Sequence, residues 1–352
     1  MNPVVELNLK DPAVYQQWRD FLTARGILNF ASSEVEQIDL TLGLYDEDQD
    51  LVATASVAQN IIKYVGVCSK NSVPGARFNK IISSLTSHLF QNNIFHLLVF
   101  TKPKYVVSFE HVGFKVLART EEAVLLETGT PDIQDYLAQL PQVPVNPASK
   151  VAGIVMNANP FTWGHRYLIE QALKTHDYVY VFVVNTDASL FSTAERQELV
   201  QAGVADLGHV IVVNGGDYLV SYATFPAYFL PSSTDAITYQ TTLDARIFRD
   251  LIAPACKITT RFLGSEPLSK TTGIYNQVLQ KELPPQVAVE IIPRKLTAQE
   301  QYITATQVRQ KIAADDLNDL ATLVPETTAT FIKQHCTQLQ ARIQKGMRIN
   351  GN

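Results

Sequence analysis

Beyond residue 150 the chain alternates short apolar runs with amphipathic ones, and this alternation restricts the fold more than any other feature. Residues 151–156 read as an apolar strand, 166–174 as a helix, 178–185 as a strongly buried strand, 193–206 as a helix and 210–213 as a strand. Residues 258–264 and 287–292 read as two further strands, with a helix at 273–280 between them. Strands that are apolar on both faces and joined through helices pair in parallel, with helices covering both sides of the sheet. Such sheets bind ligands outside the carboxyl ends of their strands, where the chain turns into a helix. Residues 214–253 read as a long irregular insertion, and the tail from Thr306 reads as helical with a break at Pro325.

The first third has a different texture, that of a mixed α/β domain. Val14, Trp18 and Phe21 recur at helical spacing, residues 38–45 alternate as a half-buried strand does, and the polar run 46–50 marks a turn into further strands at 51–58 and 61–68. Phe78, Ile81, Ile82, Leu85 and Leu89 lie on one face of a helix over 78–90. Between the two patterns, residues 128–150 carry Gly129, Pro131, Pro141, Pro144 and Pro147 around one short helix at 133–140. Proline at this density resists packed elements, so the expected organisation is a domain over 1–130, a linker over 131–149 and a second domain over 150–352.

Composition narrows the function classes. With 29 basic and 34 acidic side chains and a net charge of −5, the chain lacks the cationic surface of a nucleic-acid binder. Its longest purely apolar run, residues 178–184, falls far short of the ~20 residues of a membrane helix. The first ten residues include Glu6 and no apolar core of a signal peptide, and three separated cysteines (Cys68, Cys256, Cys336) form neither a disulfide framework nor a metal motif. The expectation is a cytoplasmic protein with no membrane or nucleic-acid partner. Its three cysteines read as small buried residues, and His88, His96, His111, His176, His209 and His335 read as structural.

Two segments carry chemistry. The run from Val151 to Arg166 goes strand, turn, helix start, with Thr162, Gly164 and His165 at the turn. Gly164 permits close approach of a ligand, and His165 falls in the first helical turn, where free N–H groups and the helix dipole favour an anion. The second segment, Tyr302-Ile-Thr-Ala-Thr-Gln-Val-Arg, offers Thr304 and Thr306 as N-caps and places Arg309 in the first turn of a helix. Hydroxyls, N–H groups and a guanidinium converging on one point suit the phosphates of a nucleotide.

Thr-x-Gly-His followed by Ile-Thr-Ala-Thr-x-x-Arg resembles the nucleotidylyltransferases of the HxGH type. The blocks running from Asn157 to Glu170, from Asp187 to Phe191, from Gly215 to Ser221, from Ala223 to Leu230 and from Gly264 to Asn276 resemble citrate lyase ligases more closely, over most of residues 150–345. That family also carries an N-terminal domain similar to GNAT acetyltransferases, matched in outline by residues 35–128. The stretch 71–78 departs from the acyl-CoA loop of those enzymes. The fold implied is a GNAT-like mixed α/β domain followed by a Rossmann-like parallel-sheet nucleotidylyltransferase domain.

The activity implied is an AMP-forming ligase. Acetate attacks the α-phosphate of ATP, carried with Mg²⁺, and the acetyl group passes to the prosthetic-group thiol on the acyl carrier subunit of citrate lyase, switching the lyase on. The residues implied are His165, Arg309 and Thr162 for catalysis. Asn157, Asn159, Pro160, Phe161, Gly164, Gly264, Glu266, Tyr275, Asn276, Thr304 and Thr306 are implied for the nucleotide. Glu195 and Arg196 resemble a pair near the phosphates, and Lys270 is a candidate for a further cation. The alternative is an adenylyltransferase acting on a phosphorylated acceptor such as a pantetheine phosphate.

Overall fold

The computed structural model describes residues 3–144, 146–185, 189–219, 233–265, 270–296, 300–347 and 349–350, without the side chains of residues 33, 233–236, 270 and 271. Within the sequence blocks, residues 187–188, 220–221, 223–230 and 266–269, Glu266 among them, lie outside the described residues. The chain divides into two units: one comprises the described residues of 1–136 and 225–243, the other those of 137–224 and 244–352.

In the first unit the turn at 46–50 closes a meander. Strands β1 (Val4–Glu6), β2 (Leu40–Tyr45), β3 (Leu51–Ala58), β4 (Ile61–Val67), β5 (His96–Thr101), β6 (Lys115–Arg119) and β7 (Val124–Gly129) form a seven-stranded sheet in the order β1-β2-β3-β4-β5-β7-β6. The pairs are antiparallel except β4 with β5, which meet only at Ile61–Leu98 and Ile62–Val99. Helix α1 (Pro12–Thr23) starts at Asp11, whose carboxylate accepts from the N–H groups of Ala13 and Val14. Helix α2 (Ala76–Gln91) buries the five apolar residues that the periodicity picks out. His96 is buried against Glu127, with Nε2 and the carboxylate 2.9 Å apart, which is a structural placement. Cys256 is buried, whereas Cys68 and Cys336 are only partly so, contrary to the reading of all three as core residues.

In the second unit the strands are β8 (Val151–Met156), β9 (Tyr178–Val183), β10 (Val210–Asn214), β11 (Thr260–Gly264) and β12 (Ala288–Ile292). They pair in parallel throughout, in the order β10-β9-β8-β11-β12. This is a doubly wound sheet whose strand order reverses between β8 and β11, and the crevice at that reversal is where such sheets take ligands. On one face, α3 (Trp163–Leu173), α4 (Thr193–Gly203), α7 (Ala305–Ala313) and α8 (Glu326–Gln344) share a core with Ile154, Val181 and Phe262. On the other, Phe248 packs edge-on against Phe182 and closes over Gly153, where a Cβ would come within 2.9 Å of its ring.

Within the insertion, the described residues from Ser233 onward are helical rather than irregular. Helix α5 (Ser233–Ile247) continues into a π-helical turn at Phe248–Ile252 and a last turn at Ala253–Cys256. Threonine-rich helices score poorly on propensity, but here Thr241 and Thr242 return their hydroxyls to the carbonyls of Ile237 and Thr238, and Leu243, Ile247 and Phe248 are buried. Tertiary burial overrides propensity over this stretch. Helix α6 (Lys270–Glu282) lies between β11 and β12 in sequence. The tail breaks at Pro325, which is the N-cap of α8.

Candidate active site

The chain leaves β8 through a tightly fixed loop. Ala158 takes φ +50° and the Asn159–Pro160 peptide is cis. Three polar groups hold this turn. The Oδ1 of Asn159 accepts from the Phe191 N–H at 3.1 Å, the carbonyl of Asn157 accepts from Arg196 at 2.8 Å, and the Asn157 side chain meets Ser189 Oγ at 3.3 Å. Phe161 is fully buried against α4, and only glycine fits opposite it, since a Cβ at Gly203 would lie 2.6 Å from its ring. A Cβ at Gly164 would meet nothing nearer than 3.5 Å, so packing within the chain does not account for that glycine.

Helix α3 then starts on a capping box. Thr162 is the N-cap, its Oγ1 accepts from the His165 N–H at 3.4 Å, and the Thr162 N–H donates to His165 Nδ1 at 3.1 Å. A ring nitrogen that accepts from a backbone N–H carries no proton, so the one N–H of a neutral His165 sits on Nε2. No described residue accepts from it. The imidazole lies parallel to Phe161 with centroids 5.9 Å apart. Its burial, then the charges of Arg294 and Arg309, push its pKa down from 6.5 to about 4. At neutral pH His165 is therefore an uncharged hydrogen-bond donor with a fixed tautomer.

Helix α7 repeats the box with a different partner: Thr304, not Thr306, is the N-cap, and Gln307 returns its Oε1 to the Thr304 N–H at 3.0 Å. Arg309 therefore falls just past the first turn. Its guanidinium is fully buried and committed to the chain itself: Nη1 donates to the carbonyl of Asn159, Nε to that of Ile349 at 2.9 Å, and Nη2 to Thr306 Oγ1 at 3.0 Å. Burial pushes it down to about 10, so it stays charged at neutral pH. Arg309 thus ties the second helix start to the loop before the first.

Other sequence candidates point into the fold. Tyr275 donates to Asp244 at 2.9 Å, and burial pushes its hydroxyl pKa up. Asn276 donates to the carbonyl of Gly264 at 3.0 Å, pinning α6 to the end of β11. Arg196 is fully buried, giving its guanidinium to the carbonyls of Asn157, Val184 and Phe191. Glu195 pairs with Arg342 of α8 at 2.6 and 2.8 Å. Lys270 opens α6; its side chain lies outside the described residues.

Two cations that sequence reasoning passed over lie at this edge, Arg294 and Lys295. Lys295 Nζ is 5.5 Å from the Trp163 ring and 5.8 Å from that of Tyr167, both on α3. Their only signal in the sequence is a pair of adjacent basic residues between the last strand and the second motif.

Residues 151–332 match the family model described as the citrate lyase ligase C-terminal domain. The chain is 34% identical over 333 residues to a citrate (pro-3S)-lyase ligase of Escherichia coli (strain K12), covering 91% of this chain and 94% of that protein. It is 36% identical over 308 residues to the one of Haemophilus influenzae, covering 85% and 90%. Among solved structures, a bifunctional NMN adenylyltransferase/ADP ribose pyrophosphatase from Francisella tularensis is similar at 16% identity and a TM-score of 0.37, over 56% of this chain and 54% of that one. Likeness along nearly the whole length of both ligases, together with the matched C-terminal domain, shows that the chain belongs to the citrate lyase ligase family.

Proposed function

We propose that residues 150–352 form a catalytic domain that activates acetate with ATP and passes the acetyl group to the prosthetic-group thiol on the acyl carrier subunit of citrate lyase. In this reading a GNAT-like domain covers residues 1–130. The observation that carries the reading is His165, a neutral donor whose tautomer is set by the cap of its own helix, at the carboxyl end of β8 beside the strand-order reversal.

The chemistry is a displacement at phosphorus. A carboxylate oxygen of acetate bonds to the α-phosphorus, the bond to the β-phosphate oxygen breaks, and pyrophosphate departs with the bonding pair. Both reactants are anionic, so the site must cancel repulsion and fix geometry; no covalent enzyme intermediate is required. The N–H groups at the start of α3 and Nε2–H of His165 donate to the α-phosphate as its charge grows. Thr162 holds the ring, and Arg309 holds the Asn159 carbonyl so that both helix starts keep their spacing. Mg²⁺ would enter on the triphosphate and screen its charge; among the described residues no group of three carboxylate, histidine or cysteine side chains is placed to hold it. In the second step the thiol sulfur bonds to the acetyl carbon, that carbon's bond to the phosphate oxygen breaks, AMP leaves with the bonding pair, and the thiol proton passes to solvent. Such a ligase works in the cytoplasm, where ATP is supplied; among the described residues no helix is long and apolar enough to cross a membrane.

The test is acetate-dependent exchange of labelled pyrophosphate into ATP, followed by acetylation of the thiol-form carrier subunit. Exchange that requires acetate supports the reading. Exchange that ignores acetate, or that requires a phosphorylated acceptor, overturns it.

A further inference from the structure

Leaving pyrophosphate needs fixed positive charge beside it, and a neutral imidazole supplies a hydrogen bond but no charge. The arginines that the sequence puts forward serve the backbone: Arg196 and Arg309 are both fully buried and bonded to carbonyls. Arg294 has the placement they lack. It is the second residue past β12, at the carboxyl edge of the sheet. Its backbone N–H donates to Ser265 Oγ at 3.2 Å and its Nε to the Ser265 carbonyl at 3.0 Å. The side chain therefore folds back from β12 across the end of β11, in the direction of β8. The next residue anchors the segment on both sides. Lys295 lies over Trp163 and Tyr167 of α3, its carbonyl accepts from the Ile303 N–H at 3.4 Å, and Leu296 bridges Tyr302 just before Thr304.

We propose that Arg294 binds the β- and γ-phosphate oxygens of the nucleoside triphosphate and the pyrophosphate released from it, with Lys295 holding its segment between the two helix starts. The proposal rests on the reading of this edge as a triphosphate site and names the side chain that takes the leaving group. Its proximity to His165 has an independent trace, since Arg294 is one of the two charges that disfavour a proton on that ring. As the bond to the α-phosphorus breaks, the electron pair goes to pyrophosphate. The guanidinium meets that charge with hydrogen bonds and transfers no proton.

The experiment uses the full chain, wild type and the variants R294A and R294K. Each is titrated calorimetrically with inorganic pyrophosphate and with ATP in the presence of Mg²⁺, and the His165 ring is titrated by NMR. R294A should weaken pyrophosphate binding by about 30- to 100-fold, and R294K by about 10-fold, since it keeps the charge and loses the fork. The His165 pKa should rise in R294A, which reports that the guanidinium stands near the ring; a selective loss of pyrophosphate affinity at unchanged fold is the readout that a purely structural role would not produce. Pyrophosphate affinity in R294A within about threefold of wild type, or no pyrophosphate binding by the wild type, overturns the proposal. The acetate test is separate. If the wild type binds pyrophosphate and R294A does not, but acetate-dependent exchange is absent, the acid-activation reading falls and the assignment of Arg294 stands.

Discussion

Helices α3 and α7 start with the same local device and come out of it with different chemistry. Each has a threonine N-cap and, three residues on, a side chain that offers an acceptor to the cap's own N–H. In α7 that acceptor is the amide oxygen of Gln307, and what is left over is a neutral NH₂ group. In α3 it is Nδ1 of His165, and using it fixes the ring's proton on the opposite nitrogen. One box leaves its donor on a rotatable amide. The other fixes a ring N–H at the positive end of its helix. The sharpest way to break this comparison is to keep the box and exchange the ring for an amide. H165Q can still return an oxygen to the Thr162 N–H, so folding should be preserved, but its NH₂ sits on a rotatable arm where the imidazole holds its Nε2–H rigid, and acetate-dependent pyrophosphate exchange should fall by about 10²-fold, against about 10³-fold in H165A. Q307A should leave exchange within about threefold of wild type. Equal losses from the two helix starts would end the distinction.

Arg309 offers the next largest effect, and it falls on stability. Truncating it leaves the carbonyls of Asn159 and Ile349 and the Thr306 hydroxyl without that partner in a buried place. R309A should cost about 3 kcal/mol in urea unfolding, whereas R294A, which gives up one hydrogen bond to the Ser265 carbonyl, should cost about 1 kcal/mol or less. An R309A protein of wild-type stability with a selective loss of ATP affinity would return Arg309 to the phosphates.

These residues also show where sequence reasoning stops. The doubly wound sheet was legible because strand and helix periods are local properties, and so was the start of α3, since the strand-turn-helix run puts His165 in the first helical turn. The destination of Arg309 was not, because its acceptors lie 150 and 40 residues away. Tyr275 and Asn276 fail for a related reason: which face of α6 turns inward depends on Asp244 and on the end of β11, not on the run Tyr-Asn itself. Arg294 was invisible because its position follows from β12 lying next to β11, a fact of strand order. Over residues 233–253 the helix escapes the irregular reading of the insertion because its threonines lose propensity locally and regain stability only through back-bonded hydroxyls and burial.

A smaller effect separates the two caps themselves. T162A and T304A should each cost about 1 kcal/mol, the ordinary worth of an N-cap hydroxyl. Only T162A should also lower exchange, by about tenfold, because Thr162 Oγ1 lies 3.0 Å from Nδ1 and helps to hold the ring. If T304A slowed exchange as much, the ring's orientation would not be what the α3 cap contributes.

The smallest effect comes from acid, because Gln307 cannot titrate and His165 can. A proton on Nδ1 would face the Thr162 N–H that now donates to it, so the folded chain resists protonation down to about pH 4, against 6.5 for an unperturbed histidine. Between those values the unfolded chain binds a proton that the folded chain does not, so stability is fully present above the window and declines as pH falls through it. The residue is only partly buried, and screening by solvent holds the contribution to about 1 kcal/mol or less. His176 is pushed in the same direction by its own burial, so the slope for the whole protein is not the readout. The difference between wild type and H165Q, followed as urea midpoints from about pH 7 to about pH 5, isolates the ring. H165Q should lose less stability over that range. Parallel slopes would mean that Nδ1 accepts nothing from the cap in solution, and with that the fixed Nε2 proton, on which the contrast between the two helix starts depends, would be gone.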